Sequence, residues 1–205
     1  MRVEIYVEGG ADSSSLDRRC REGFSRFFKK AGFAGRMPGV RPCGSRRVAY
    51  DDFREALRES SSDEFVILLV DSEDPVPHGM LPWEFLRGRR DDGWERPAGA
   101  SDESAHLMVQ CMEAWFLADK DALSGYFGQG FRQNAFPERT DIEAIPKPDL
   151  MEQLKQATRG TETKGEYRKG EHSFQILGMI SPELVRGASP HADRLLRTLA
   201  TVSQP

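Results

Sequence analysis

The sequence predicts an α/β domain: a mostly parallel sheet flanked by helices, with a helical elaboration at its C-terminal end. Three observations carry this. "EFVILLVD" (64–71) is a continuous, β-branched apolar run, as expected of a strand covered on both faces. "RVEIYVE" (2–8) alternates loosely and reads as a second strand. Between them lie two amphipathic helical patterns and a short extended segment, so strand and helix alternate along the chain.

The elements follow in order. After the first strand, Leu16, Cys20, Phe24, Phe27 and Phe28 recur at helical spacing. Asp12 or a neighbouring serine offers an N-cap, and Gly32 a stop. "GVRPCGS" is the short extended segment, and "RRVAYDDFREALRESS" gives a second helix whose apolar positions are Val48, Phe53, Ala56 and Leu57. Past Asp74 the pattern loosens into an excursion over 75–104, rich in Pro, Gly and charge, with one short helix around Trp83. "HLMVQ" reads as a fourth strand handing over to a helix that holds Glu113, Trp115 and Asp119. The remainder offers a helix at "DLMEQLKQATRG", a polar turn "TETKGEYRKGEHS", and helices near "FQILGMI" and "HADRLLRTLATV". No repeat or linker divides the chain, so residues 1–205 are expected to form one domain.

Composition narrows the function. With 38% apolar and 30% charged residues, the chain has the profile of a soluble globular protein. Its longest apolar run, 65–70, is far too short to cross a bilayer, and no signal-peptide apolar core precedes the first strand. A cytoplasmic location and no membrane partner are expected. Cys20, Cys43 and Cys111 are scattered without metal-ligand spacing, which points to reduced, partly buried thiols. The net charge of −4 does not announce a non-specific nucleic-acid binder. Basic residues nonetheless cluster at Arg18, Arg19 and Arg21; at Arg46 and Arg47; at Arg87, Arg89 and Arg90; and at Lys164, Arg168 and Lys169.

Both long strands end in carboxylates: Glu8 before Gly9 and Gly10, and Asp71 in "DSED" with Glu73 and Asp74. In parallel sheets ligands bind beyond the carboxyl ends of the strands. Asp71 and Glu73 point the same way if the segment is extended, whereas Asp74 leaves on the other side. Oxygen ligands of this kind suit Mg²⁺ or Mn²⁺. Carboxylates at strand exits also cap helices and hold turns, and that reading stands beside the metal one. Gly44, Ser45 and Arg46 offer a phosphate cradle or an ordinary N-cap. Trp83, Trp94, Trp115 and Phe116 offer stacking faces for bases, although core packing is the better expectation for the last two.

"VEGGAD", "ILLVDSED", "MVQCMEAWFLAD" and "YRKGEHS" together resemble the Toprim-like family known as domain of unknown function 4276, in order and over nearly the whole chain. That family is related to overcoming-lysogenization-defect-type Toprim nucleases. The resemblance implies a Rossmann-like Toprim fold, with Glu8 and Asp71 as metal ligands. Glu73 stands where the Toprim pattern has aspartate, and Glu113 is the further acidic residue of a two-metal site. Lys169 matches the late basic residue, and Arg46, Lys169 and His172 become candidate substrate-binding groups. Asp119 is six residues beyond Glu113, nearly opposite in helical phase, and reads as a surface or capping carboxylate.

The expectation is thus a divalent-metal-dependent nuclease cleaving DNA or RNA, with Glu8, Asp71, Glu73, Glu113 and Lys169 as its catalytic residues. The resemblance further implies an ATPase partner and a place in bacterial antiphage defence. The alternative is a non-catalytic Toprim-like binding or regulatory subunit of an ATPase complex. Strand passage as in topoisomerases is disfavoured, since 205 residues leave no room for a separate domain carrying a nucleophilic tyrosine.

Overall fold

The structure is a computed structural model that describes residues 1–10, 13–138 and 141–203. Four parallel strands, β1 (Arg2–Val7), β2 (Gly39–Pro42), β3 (Glu64–Asp71) and β4 (Ala105–Met108), form one sheet in the order β2-β1-β3-β4. From β1 the chain steps outward to β2, then crosses back over β1 to reach β3 and β4. The direction of winding therefore reverses between β1 and β3, where a doubly wound sheet opens its ligand crevice.

Side-chain alternation sorts the strands onto two cores. Val3, Ile5 and Val7 of β1 join Ile67 and Leu69 of β3 on one face, while Val66, Leu68 and Val70 of β3 enter the other. Helix α1 (Ser14–Phe28) covers the first face with Cys20, Phe24, Phe27 and Phe28. Its N-cap is Ser13, whose hydroxyl accepts from the Leu16 amide; Asp12, the other expected cap, lies outside the described residues. Beyond Phe28 the helix widens into a π-turn over Lys29–Phe33, and Gly32, at φ 94°, breaks the helical path there as expected of a stop residue.

Helix α2 (Arg46–Glu59) covers the opposite face through Ala49, Tyr50 and Phe53. Val48, expected on the apolar face, is 45% exposed, because the helix rolls the next two positions inward instead. Helix α3 (Pro82–Gly88) lies in the excursion and packs beside α2. Trp83 and Trp94 are buried there rather than offered to bases. The Trp83 indole donates to the Ser101 carbonyl at 2.8 Å, and Trp94 stacks on Tyr50 with centroids 4.3 Å apart.

Beyond β4, Met112–Ala118 is a 3₁₀ segment, not the expected α-helix, and holds Glu113, Trp115 and Phe116 in the core. It is followed by α4 (Lys120–Phe127), α5 (Lys147–Thr158), α6 (Ser173–Leu177), α7 (Pro182–Ala188) and α8 (Pro190–Val202). The break at Asp119 has a clear cause: its carboxylate caps α4 through the Ala122 amide at 3.0 Å and accepts from the Ser181 amide at 2.8 Å. Helix α7 falls between the two helices that the C-terminal sequence pattern predicts. Among the described residues no helix is long and apolar enough to cross a membrane. All three cysteines are free and buried, and burial raises each thiol's pKa, to about 12 for Cys43.

Candidate metal centre

The exits of β1 and β3 lie side by side at the winding reversal. The ladder continues one residue past β1, with the Glu8 amide donating to Leu69 O at 2.9 Å. Gly9 and Gly10 then turn the chain away at φ 117° and 74°; at Gly10 a Cβ would stand 2.7 Å from Pro42 Cβ. The Glu8 carboxylate reaches across the crevice and accepts the Asp71 amide at 3.1 Å. Asp71 Oδ1 accepts the Met112 amide at 2.9 Å, which ties the end of β3 to the 3₁₀ segment.

Glu73 arrives by a different route from the extended one expected. Its φ is 65°, and its amide donates to Gln110 O at 2.8 Å. This left-handed turn folds the chain back, and Glu73 still joins the other two. One oxygen from each of Glu8, Asp71 and Glu73 lies within 4.8 Å of the others. Asp74 is pulled aside to Arg89 at 3.1 Å and is not part of this group.

Glu113 stands behind Asp71 and is fully buried. Its Oε1 accepts the Tyr167 hydroxyl at 3.0 Å, while Oε2 has no hydrogen-bond partner among the described residues. Burial and the adjacent Glu113 raise the Tyr167 pKa well above its usual value, so the hydroxyl remains a donor. Half-exposed Lys169 bridges the two acids, 3.8 Å from Asp71 Oδ2 and 3.9 Å from Glu113 Oε1.

Crowded acids in a partly dry crevice resist ionisation. Burial, then repulsion from Asp71, pushes Glu8 up to about 7 against the pull of Arg46. Burial, then Glu113, pushes Asp71 up to about 6 against Lys169 and Lys147. Both carboxyl groups therefore hold their protons to higher pH than exposed ones do. The site's donors are all hard oxygens, with no thiol or imidazole in the group, which suits Mg²⁺ or Mn²⁺. The unpartnered Glu113 oxygen adds an unmet demand for a cation or donor.

Three contributors were not visible in the sequence. Lys147, first residue of α5, places its ammonium 2.6 Å from Glu73 Oε1 and 3.3 Å from Asp71 Oδ2. Tyr167 orients Glu113. Asp92, in the excursion, holds the Arg46 guanidinium with two contacts, at 3.0 and 2.6 Å. Arg46 also donates to Asp71 O at 2.5 Å, stands 3.7 Å from Glu8 and lies over the Trp94 ring. It thus braces both strand ends instead of projecting free toward a phosphate. Ser45 caps α2 through the Val48 amide, the ordinary N-cap use of that segment. A groove of about 480 Å³ opens beside Glu73 and Trp94, where Arg46, Arg47 and Arg89 alternate with Asp74, Asp91 and Asp92.

His172 lies apart from the acids. It is buried against Tyr126, Phe127 and Tyr167, and its Nδ1 accepts from the Arg168 amide at 3.2 Å, so it fixes the turn that carries Lys169. Burial lowers its pKa. Lys169 and Lys147, and not His172, are the basic residues that lie against the acidic cluster.

Residues 7–200 match the family model described as Domain of unknown function (DUF4276), and the chain belongs to that family. No curated protein and no solved structure matches it.

Proposed function

We propose that this member of the family is a divalent-metal-dependent nuclease that hydrolyses phosphodiester bonds of DNA or RNA. The observation that carries this reading is the convergence of Glu8, Asp71 and Glu73 at the winding reversal of a parallel sheet. These three would hold Mg²⁺ or Mn²⁺, and Glu113, with its unpartnered oxygen, would serve a second ion. Such ions activate a water and stabilise the attacking and leaving oxygens of an in-line displacement.

The chain's own residues supply the rest. The Glu8 carboxylate and Arg46 guanidinium lock the exits of β1 and β3 together, which fixes the spacing of the acids. Tyr167 holds Glu113 in one orientation from inside the core. Lys169 is half-exposed at the rim and would offset charge on the phosphate. An ATPase partner and a role in bacterial antiphage defence are proposed on the Toprim resemblance, a cytoplasmic location on the sequence's apolar patterning, and the net charge of −4 fits a nuclease that does not bind nucleic acid indiscriminately by itself.

A second reading is a non-catalytic Toprim-like subunit, favoured by the ammonium groups that already balance part of the acidic charge. Incubation with single- and double-stranded DNA and RNA, in Mg²⁺, Mn²⁺ or EDTA, separates the two. The nuclease reading expects metal-dependent cleavage that falls at least ~100-fold in E8Q and D71N, variants that keep size and fold. Metal-independent cleavage, or undiminished cleavage by both variants, would overturn it; no cleavage of any substrate would favour the second reading.

A further inference from the structure

Lys147 is half-buried, and its ammonium occupies the space between two of the three clustered acids, in contact with Asp71 Oδ2 and Glu73 Oε1. An ion bound to those oxygens would stand about 2.0–2.6 Å from each, inside the volume the ammonium now fills. A dication and an ammonium sharing the same two carboxylates also repel each other. Lys169 differs: it is 54% exposed, no closer than 3.8 Å to any of these acids, and has no contact with Glu73.

Lys147 is tethered at its base and free at its tip. Its backbone N–H donates to Gln110 Oε1 at 3.1 Å, and Gln110 is itself buried. Pro146 precedes it as the N-cap of α5. Rotation about the four-carbon stem can therefore withdraw the ammonium without moving the helix.

Resting on the metal-dependent reading above, we propose that Lys147 is a resident counter-ion exchanged for the metal, and that its displaced ammonium then binds a non-bridging oxygen of the substrate phosphodiester. Metal loading and phosphate binding are coupled through this one side chain: the metal releases the lysine, and a phosphate gives it a new partner. Without metal Lys147 stays paired with Asp71 and Glu73 and is not free to meet a phosphate.

Isothermal titration of Mn²⁺ into wild type, K147M, K147Q and K169M tests this without any activity readout. K147M and K147Q lose the competitor and are expected to bind Mn²⁺ about tenfold more tightly, ~1.4 kcal/mol. K169M removes the same charge from the neighbourhood and is expected to change affinity less, which separates exchange from a general charge effect. In Mn²⁺, K147M and K147Q should bind a non-cleavable phosphorothioate oligonucleotide about tenfold more weakly. Equal Mn²⁺ affinity in wild type and both Lys147 variants, or an effect matched by K169M, overturns the exchange while leaving the metal centre standing. No Mn²⁺ binding in any of the four proteins refutes the metal centre itself, and the exchange with it.

Discussion

Replacing Asp92 by alanine should cost far more than its surface position in a charged loop suggests. Its carboxylate is 2% exposed and accepts from Arg46 Nε and Nη2 and from Arg89 Nη1 at 3.0, 2.6 and 3.3 Å. Arg46 and Arg89 are only 17% and 12% exposed, so water cannot fully replace the lost partner. Arg89 keeps Asp74 at 3.1 Å, whereas Arg46 keeps Glu8 at 3.7 Å, a carbonyl and the face of Trp94. Breaking a buried ion pair from one side costs about 3–5 kcal/mol, and the residual contacts place D92A near 3. With a urea m-value of roughly 2–3 kcal/mol/M, the unfolding midpoint should fall by about 1 M. D51A, which removes an exposed partner of Arg47 and Arg54, is the internal control and should cost under ~1 kcal/mol. A D92A midpoint within error of D51A would refute the claim that Asp92 is the keystone of the Arg46 brace.

Two further outcomes follow from packing and titration. Gly23 faces Phe174, and an alanine Cβ would lie 2.4 Å from the Phe174 carbonyl oxygen. The ~1 kcal/mol usually gained by Gly→Ala within a helix should therefore invert, and G23A should melt roughly 4 °C lower by calorimetry. His106 is buried with Nδ1 accepting from Arg194 and Nε2 donating to Glu103 O; burial and then Arg194 lower its pKa to about 3. The unfolded chain takes up this proton below about 6.5 and the native state does not, so stability is lost as pH falls through that window. The loss should reach about 2 kcal/mol by pH 5 and be absent from H106Q, as read from urea midpoints against pH.

The sheet and the first two helices were legible because their signals are local: an apolar run at 64–71, aromatic spacing in α1, turn residues between. Glu8 and Asp71 were legible for the same reason, since each follows a strand that can be read directly. Glu73 was found by residue type, but its left-handed turn is set by the Gln110 carbonyl, a partner from another part of the chain. Lys147, Tyr167 and Asp92 enter from α5, the polar turn and the excursion. Nothing in "IPKPDL" marks a lysine that reaches a site 76 positions earlier. The excursion looked open because proline and glycine break its pattern. Trp83 and Trp94 instead give it a core of its own against α2, which the local sequence could not show.

Crystals grown or soaked in Mn²⁺ and measured at a wavelength with manganese anomalous signal test the central claim most directly. The account predicts an anomalous peak bounded by oxygens of Glu8, Asp71 and Glu73, with Lys147 withdrawn from between Asp71 and Glu73. Occupied lattice sites elsewhere and no peak among these three carboxylates would contradict it.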